Sequence, residues 1–477
     1  MKRREFLKTS ALAGAGLAFS PTVRAQSLAQ PATGPAEGAG SLRAGFAREK
    51  ITPPLGTTMM GFASRDMKQG CQGIHDDIDV RALFVQQGGE RALIVAYDLC
   101  FLGREEADRF KGALGREFDL SPRQILLNTS HNHASPSVGT WYSAGYQAPD
   151  RLYVNELERA TLKAARQASK GMREATMWAG LGETELPISR RKPDGKGGIA
   201  FEPNPGGTAY KRLPVCLLKD RTGKPVCLLF SVSAHPSMMS GWEISAEYPG
   251  AACRLLDEHL GATASMFLQG AGGDAKPSVI GKGLERFRPG TWEDVEAAGR
   301  IVAKETIAIL DKRLNAVEPL VRSAIAETHW PLQPVPPRSE FEKMVKEMKP
   351  QEGPADIRRR WAMRQLELLD RGDDLPTAAA VTLQVLRLGR NLRMVGIEGE
   401  PVGQWGYLIE DFYGLALTFP LGYCNGQGLY LPVSKMIAEG GYEVVSYWEY
   451  GYPAPLAAGM EDVVLNELVK MARQGIA

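Results

Sequence analysis

Short apolar runs alternate along this chain with longer stretches in which apolar residues recur every three or four positions. The runs at 80–86, 92–97, 124–127, 213–218, 226–232, 265–268, 380–388 and 393–397 read as buried strands. The stretches at 105–118, 152–169, 251–260, 292–312 and 461–473 read as amphipathic helices. The turn Asp220-Arg221-Thr222-Gly223 between two of the runs predicts a hairpin. Alternation of this kind, with at least one antiparallel pair, predicts an α/β fold with mixed sheets arranged in layers.

Two regions depart from the pattern. Between 331 and 376 prolines give way to charged helical stretches at 340–349 and 355–370, broken by Pro350 and Gly353, which reads as a helical insertion or surface arm. At the N-terminus, Lys2-Arg3-Arg4-Glu5-Phe6-Leu7-Lys8 leads into a weakly apolar stretch and then Val23-Arg24-Ala25. This resembles a twin-arginine signal peptide over 1–25, so the twin-arginine (Tat) export machinery is an expected partner and the periplasm or the exterior the expected destination. Residues 26–40, rich in Ala, Gly and Pro, read as a flexible linker, and 41–477 as one domain.

With 477 residues, 44% hydrophobic and 23% charged, a packed core is readily supplied. A formal net charge of +2 provides no global field toward nucleic acid, and no apolar stretch of the mature chain predicts a membrane span. The six cysteines include no C-x-x-C pair, which argues against a zinc knuckle or a thioredoxin-type site. Cys216 and Cys227 flank the hairpin turn and are the pair placed to bridge, although inert core thiols are the expected state.

Candidate chemistry gathers where strands end. His131 and His133 follow the run 124–127; on an extended segment, residues two apart share a face, so the pair can converge on one ion or divide into metal ligand and substrate contact. His235 follows the run 226–232, and the carboxyl ends of strands are where α/β sheets bind ligands. The run 265–268 opens into Gln269-Gly270-Ala271-Gly272-Gly273-Asp274-Ala275-Lys276-Pro277. There Asp274 can cap a turn, support a ligand histidine or meet substrate.

Taken in order, T-S-H-N-H-A-S-P, A-H-P-S-M, I-S-A-E-Y-P-G (244–250) and G-G-D-A-K-P resemble the catalytic domain of the neutral/alkaline, non-lysosomal ceramidase family. The earlier segments G-F-A-R-E-K-I-T-P-P, M-M-G-F-A and Q-G-I-H-D-D-I fit the same pattern. The resemblance implies a ceramidase-like domain and a zinc site on His131, His235, Glu400 and Tyr430, with Glu398 the rival of Glu400 because strand alternation sets both on one side. It also implies that His133, Arg190 and Tyr442 hold the substrate carbonyl. One position departs: the family carries a serine before the proline of the glycine-rich loop, and this chain carries Lys276, which points away from ceramide and toward an anionic small substrate. The expectation is a zinc-dependent hydrolase cleaving an N-acyl amide bond of a small molecule. A true neutral ceramidase and a non-catalytic metal- or ligand-binding protein are the alternatives.

Overall fold

Strands buried on both faces, one against helices and one against a second sheet, build four layers, helix, sheet, sheet, helix, that fix where the strand ends meet. The computed structural model describes residues 41–65, 69–139, 148–312, 314–351, 356–426 and 428–476; the expected leader and linker lie outside them. The larger sheet runs, edge to edge, Ser265–Gln269, Pro225–Val232, Arg212–Asp220, Arg173–Glu183, Leu42–Lys50, Asp79–Gln87, Glu90–Tyr97 and Ile125–Thr129, with Asn315–Val317 pairing off Arg173–Glu183. Its terminal pairs are parallel and the pairings between them antiparallel, so the sheet is mixed as the pattern predicts. The smaller sheet runs Pro319–Pro331, Ala378–Gly389, Leu392–Ile397 and Leu417–Leu421.

Period-two alternation explains the packing. Leu83, Val85, Ile94, Leu126, Leu229 and Met266 face inward onto Leu386, Leu388, Met394 and Phe419 of the smaller sheet. The opposite faces of the same strands, through Phe84, Val95 and Leu127, meet the helices Arg104–Phe118 and Arg151–Lys170. Through Leu217, Phe230 and Phe267 they meet Glu247–Leu260 and Trp292–Leu310. The outer face of the smaller sheet, with Val381, Val395 and Ile397, packs on Gly403–Tyr413 and Met460–Arg473.

The two edge strands of the larger sheet are tied together at their carboxyl ends. The Gln269 backbone N–H donates to Asn128 Oδ1 at 2.9 Å, and Asn128 Nδ2 donates to the carbonyls of Gln269 and Gly422. This link sets the loops after Thr129, Val232 and Gln269 beside one another.

The helices expected at 340–349 and 355–370 occur as Arg338–Glu347 and Ile357–Asp370. Their shared core of Phe341, Trp361 and Ala362 packs with Tyr447 and Trp448. Trp361 Nε1 also donates to the Tyr452 carbonyl at 3.0 Å. The pair thus props the aromatic turn Ser446–Tyr450 rather than standing off the surface as an arm. All six cysteines, Cys216 and Cys227 included, are free and buried. Among the described residues, no helix is long and apolar enough to cross a membrane.

Candidate metal centre

His131 does not sit on an extended segment. Its φ of 60° is left-handed, a conformation uncommon for a residue with a Cβ, and the turn rather than strand alternation brings it against His133, Nε2 to Nε2 at 3.0 Å. The expectation of a shared face held in outcome but not in cause. The His131 ring is fixed from behind, its Nδ1 facing the Cys100 carbonyl at 3.0 Å, and is stacked on Tyr423 with centroids 4.3 Å apart. The His235 ring is fixed in the same way by the Gly272 carbonyl, 2.8 Å from its Nδ1. Each carbonyl accepts the Nδ1 proton, which aims Nε2 of both rings into the site.

The glycine-rich loop makes this approach possible. A Cβ on Gly272 would meet the Ser233 carbonyl carbon at 2.7 Å, and one on Gly273 the Glu400 carbonyl oxygen at 2.4 Å. Through these two positions the His235 loop and the Glu400 segment close on each other. Glu400 Oε2 lies 3.3 Å from His131 Nε2 and 3.2 Å from His235 Nε2, and Tyr430 Oη lies 3.2 Å from His235 Nε2. His131, His235 and Glu400 are all buried, and their ligating atoms lie within 4.8 Å of one another.

Glu398 is elsewhere. The strand Leu392–Ile397 has ended, and Gly399 at φ 92° turns the chain between the two glutamates, so alternation no longer applies. Glu398 instead receives Arg104 Nε at 2.9 Å and Nη2 at 2.7 Å, and the Thr382 backbone N–H at 3.0 Å.

Electrostatically the cluster behaves as a seat for a cation. Burial alone would lower His131, yet the Glu400 carboxylate overrides it and holds that imidazole near 10. Burial would raise Glu400, and His131 instead holds its carboxyl well below the usual range. Burial and the neighbouring Arg190 push His235 down to about 3, and burial with His131 keeps His133 neutral. Two fixed Nε2 donors and an ionised carboxylate fit a divalent transition metal, with Tyr430 placed to add an oxygen.

The remaining predicted residues surround this centre unequally. Arg190 is buried, donates from Nε to Glu443 Oε1 at 2.8 Å, and brings Nη1 to 3.4 Å from His235 Nε2; its Nη2 lacks an acceptor of good geometry. The Tyr442 ring packs on Tyr430, centroids 5.3 Å apart, but its hydroxyl donates to Glu449 Oε2 at 2.8 Å. Asp274 works as a strut: its Oδ1 accepts the Gly403 N–H at 2.7 Å, tying the glycine loop to the segment after Glu400. Lys276 does not pair with it. Its ammonium faces a pocket of about 550 Å³ lined by Phe62, Phe201, Ser237, Met238 and Phe287 among others, and Phe62 packs edge-on against His133 at 5.0 Å.

Three further residues support the centre. Tyr450 donates to Glu400 Oε1 at 2.6 Å. Arg65 donates to the His133 carbonyl at 2.6 Å and to the Met60 carbonyl at 2.5 Å. Glu443 binds Arg190 and Arg191 together, the latter at 2.6 Å. Glu443 belongs to the Tyr442-Glu443 pair of the ceramidase-like pattern, and the aromatic density of Ser446-Tyr447-Trp448-Glu449-Tyr450 is the sequence signal that could reveal Tyr450.

No family model matches the chain, and no curated protein matches it in sequence. Solved structures do match it in fold. The neutral ceramidase from Pseudomonas aeruginosa superposes with a TM-score of 0.68 at 16% identity, covering 90% of this chain and 73% of that one. A ceramidase complexed with C2 superposes with a TM-score of 0.71 at 15% identity, covering 91% of this chain and 76% of that one. The mixed, layered α/β architecture is therefore shared with neutral ceramidases.

Proposed function

We propose that this chain is a zinc-dependent hydrolase that cleaves an N-acyl amide bond of a small, anionic substrate. The observation that carries the reading is the convergence of His131 Nε2, His235 Nε2 and Glu400 Oε2, with His133 packed on Phe62 of the pocket wall. The likeness in fold to neutral ceramidases supports amide hydrolysis. Zinc suits two imidazoles and a carboxylate, with the Tyr430 oxygen as a fourth ligand; when bound, it would supply Lewis acidity toward a carbonyl and toward water.

The chain's own groups then do the positioning. His133, neutral and held by Arg65 through its carbonyl, presents Nε2 at the centre as a donor to a substrate carbonyl. Arg190, clamped by Glu443, directs a fixed positive charge to the place where negative charge grows on that oxygen. Tyr442 shares its proton with Glu449, which burial raises to about 7, so this pair can return a proton toward a departing amine.

A pocket of about 550 Å³ with Lys276, Arg286 and Arg288 on its walls suits a small charged ligand better than two lipid chains. Export by the twin-arginine route to the periplasm is part of the proposal and rests on the leader motif. The test is a screen of N-acyl amines, ceramide included, on metal-depleted and zinc-restored protein. Zinc-dependent cleavage of polar N-acyl compounds supports the reading, and efficient cleavage of ceramide alone replaces it with a true ceramidase.

A further inference from the structure

Among the described residues, the lysine in place of the family's serine is the one cation on the pocket wall with no carboxylate within ion-pair distance. Arg288 is held by Asp294 at 2.6 and 2.7 Å, and Arg286 shares Glu202 with Lys192. Arg190 and Arg191 are balanced by Glu443 and Glu439. Among the described residues, Lys276 Nζ has neither a carboxylate within ion-pair distance nor a hydrogen-bond acceptor; its neighbours are the rings of Phe287 at 5.4 Å and Phe201 at 5.9 Å. A half-buried ammonium between two aromatic rings matches one negative charge, and its partial desolvation favours an anion that meets it.

One of the same rings also touches the guanidinium beside the centre. Phe201 carries Lys276 on the pocket side and Arg190 at 4.7 Å, and Arg190 reaches His235 at 3.4 Å. Phe201 therefore lies between the Lys276 ammonium and Arg190, the guanidinium that borders the candidate metal centre. We infer that Lys276 is a carboxylate subsite and that the substrates are N-acyl α-amino acids with an apolar side chain. Their carboxylate lies two bonds from the scissile nitrogen, and their side chain has Phe62, Met238 and Phe287 to pack on. This inference rests on the amidase reading for the identity of the bond cleaved, but not for the anion seat itself.

N-acetylphenylalanine and N-acetylphenethylamine differ only by the carboxylate, and release of free amine reports cleavage of either. The wild-type protein is expected to prefer the acid by about 10²-fold in kcat/KM. Lys276→Met is expected to bring that ratio close to one, and Lys276→Arg to retain most of it. A wild-type ratio near one, or a ratio that Lys276→Met leaves intact, overturns the inference. Binding of N-ethylphenylalanine, which has no amide to cleave, is measured by calorimetry on metal-free and zinc-loaded protein. Binding that depends on Lys276 without hydrolysis of any amide keeps the carboxylate subsite and rejects the amidase. Binding unaffected by Lys276→Met, or tighter binding of a phosphate monoester counterpart, rejects the subsite as assigned.

Discussion

Tyr450 donates its hydroxyl proton to Glu400 Oε1 at 2.6 Å, while the other oxygen of the same carboxylate faces His131 and His235. The phenol thus orients the carboxylate so that one oxygen is reserved for the candidate metal centre. Such outer partners typically contribute a factor of about 10 to 100 in metal affinity. Tyr450→Phe, which keeps the ring packed on Tyr430, is expected to weaken zinc binding by about that factor with little change in melting temperature. Competition with a chromophoric chelator measures it, and unchanged affinity would remove Tyr450 from the site.

The two glutamates separated by Gly399 have different partners, so their amide variants should behave oppositely. Glu400→Gln is expected to lose zinc, whereas Glu398→Gln keeps it and loses thermal stability instead, because Arg104 is left with a partner it no longer neutralises. Elemental analysis and a thermal melt of each variant decide the matter. Zinc loss confined to Glu398→Gln would assign the ligand to the wrong glutamate.

His133→Ala is expected to retain zinc and lower kcat on the order of 10² to 10³-fold, the range for removal of one oxyanion donor. Metal loss equal to that of His131→Ala would make His133 a ligand rather than a substrate contact.

Much of this arrangement was legible before any coordinates. Apolar runs gave the strands and the ends on which His131, His235 and Asp274 sit, because a strand buried on both faces has few alternatives in composition. Leu42–Lys50, Arg173–Glu183 and Pro319–Pro331 went unread: they interleave Arg, Glu and Thr with apolar residues, and their partners come from distant sequence. The helix Gly403–Tyr413 is obscured in the sequence by Gly403 and Gly406, poor helix formers in its first turns. In the site, the histidines announced themselves by position, but the left-handed turn at His131 and the break at Gly399 depend on tertiary packing. Local spacing therefore predicted the convergence of His131 with His133 for the wrong reason, and a shared face for Glu398 and Glu400 that does not exist.

Glu247 carries a pH dependence of its own. It is buried and accepts the backbone N–H groups of Met238 and Met239, just after His235, and burial raises it from 4.5 to about 7. The folded state therefore binds this proton more tightly than the unfolded chain. Its contribution to stability is full below pH 4.5 and is lost as pH rises through 7, an effect on the order of 3 kcal/mol. Glu247→Gln should flatten the fall in stability between pH 5 and pH 8 in denaturant titrations. Identical slopes for wild type and variant would show that this carboxyl does not titrate there.

The central claim is that His131, His235 and Glu400 hold one catalytic divalent cation for amide hydrolysis. The most direct measurement is a zinc titration of metal-stripped protein, following bound metal and amine release from an N-acyl substrate together. Activity is predicted to rise from the background of metal-free protein to a plateau at about one zinc per chain. His131→Ala, His235→Ala and Glu400→Gln are predicted neither to bind the equivalent nor to recover the activity. A full rate in the metal-free protein, or one tightly bound zinc in all three variants, would contradict the account.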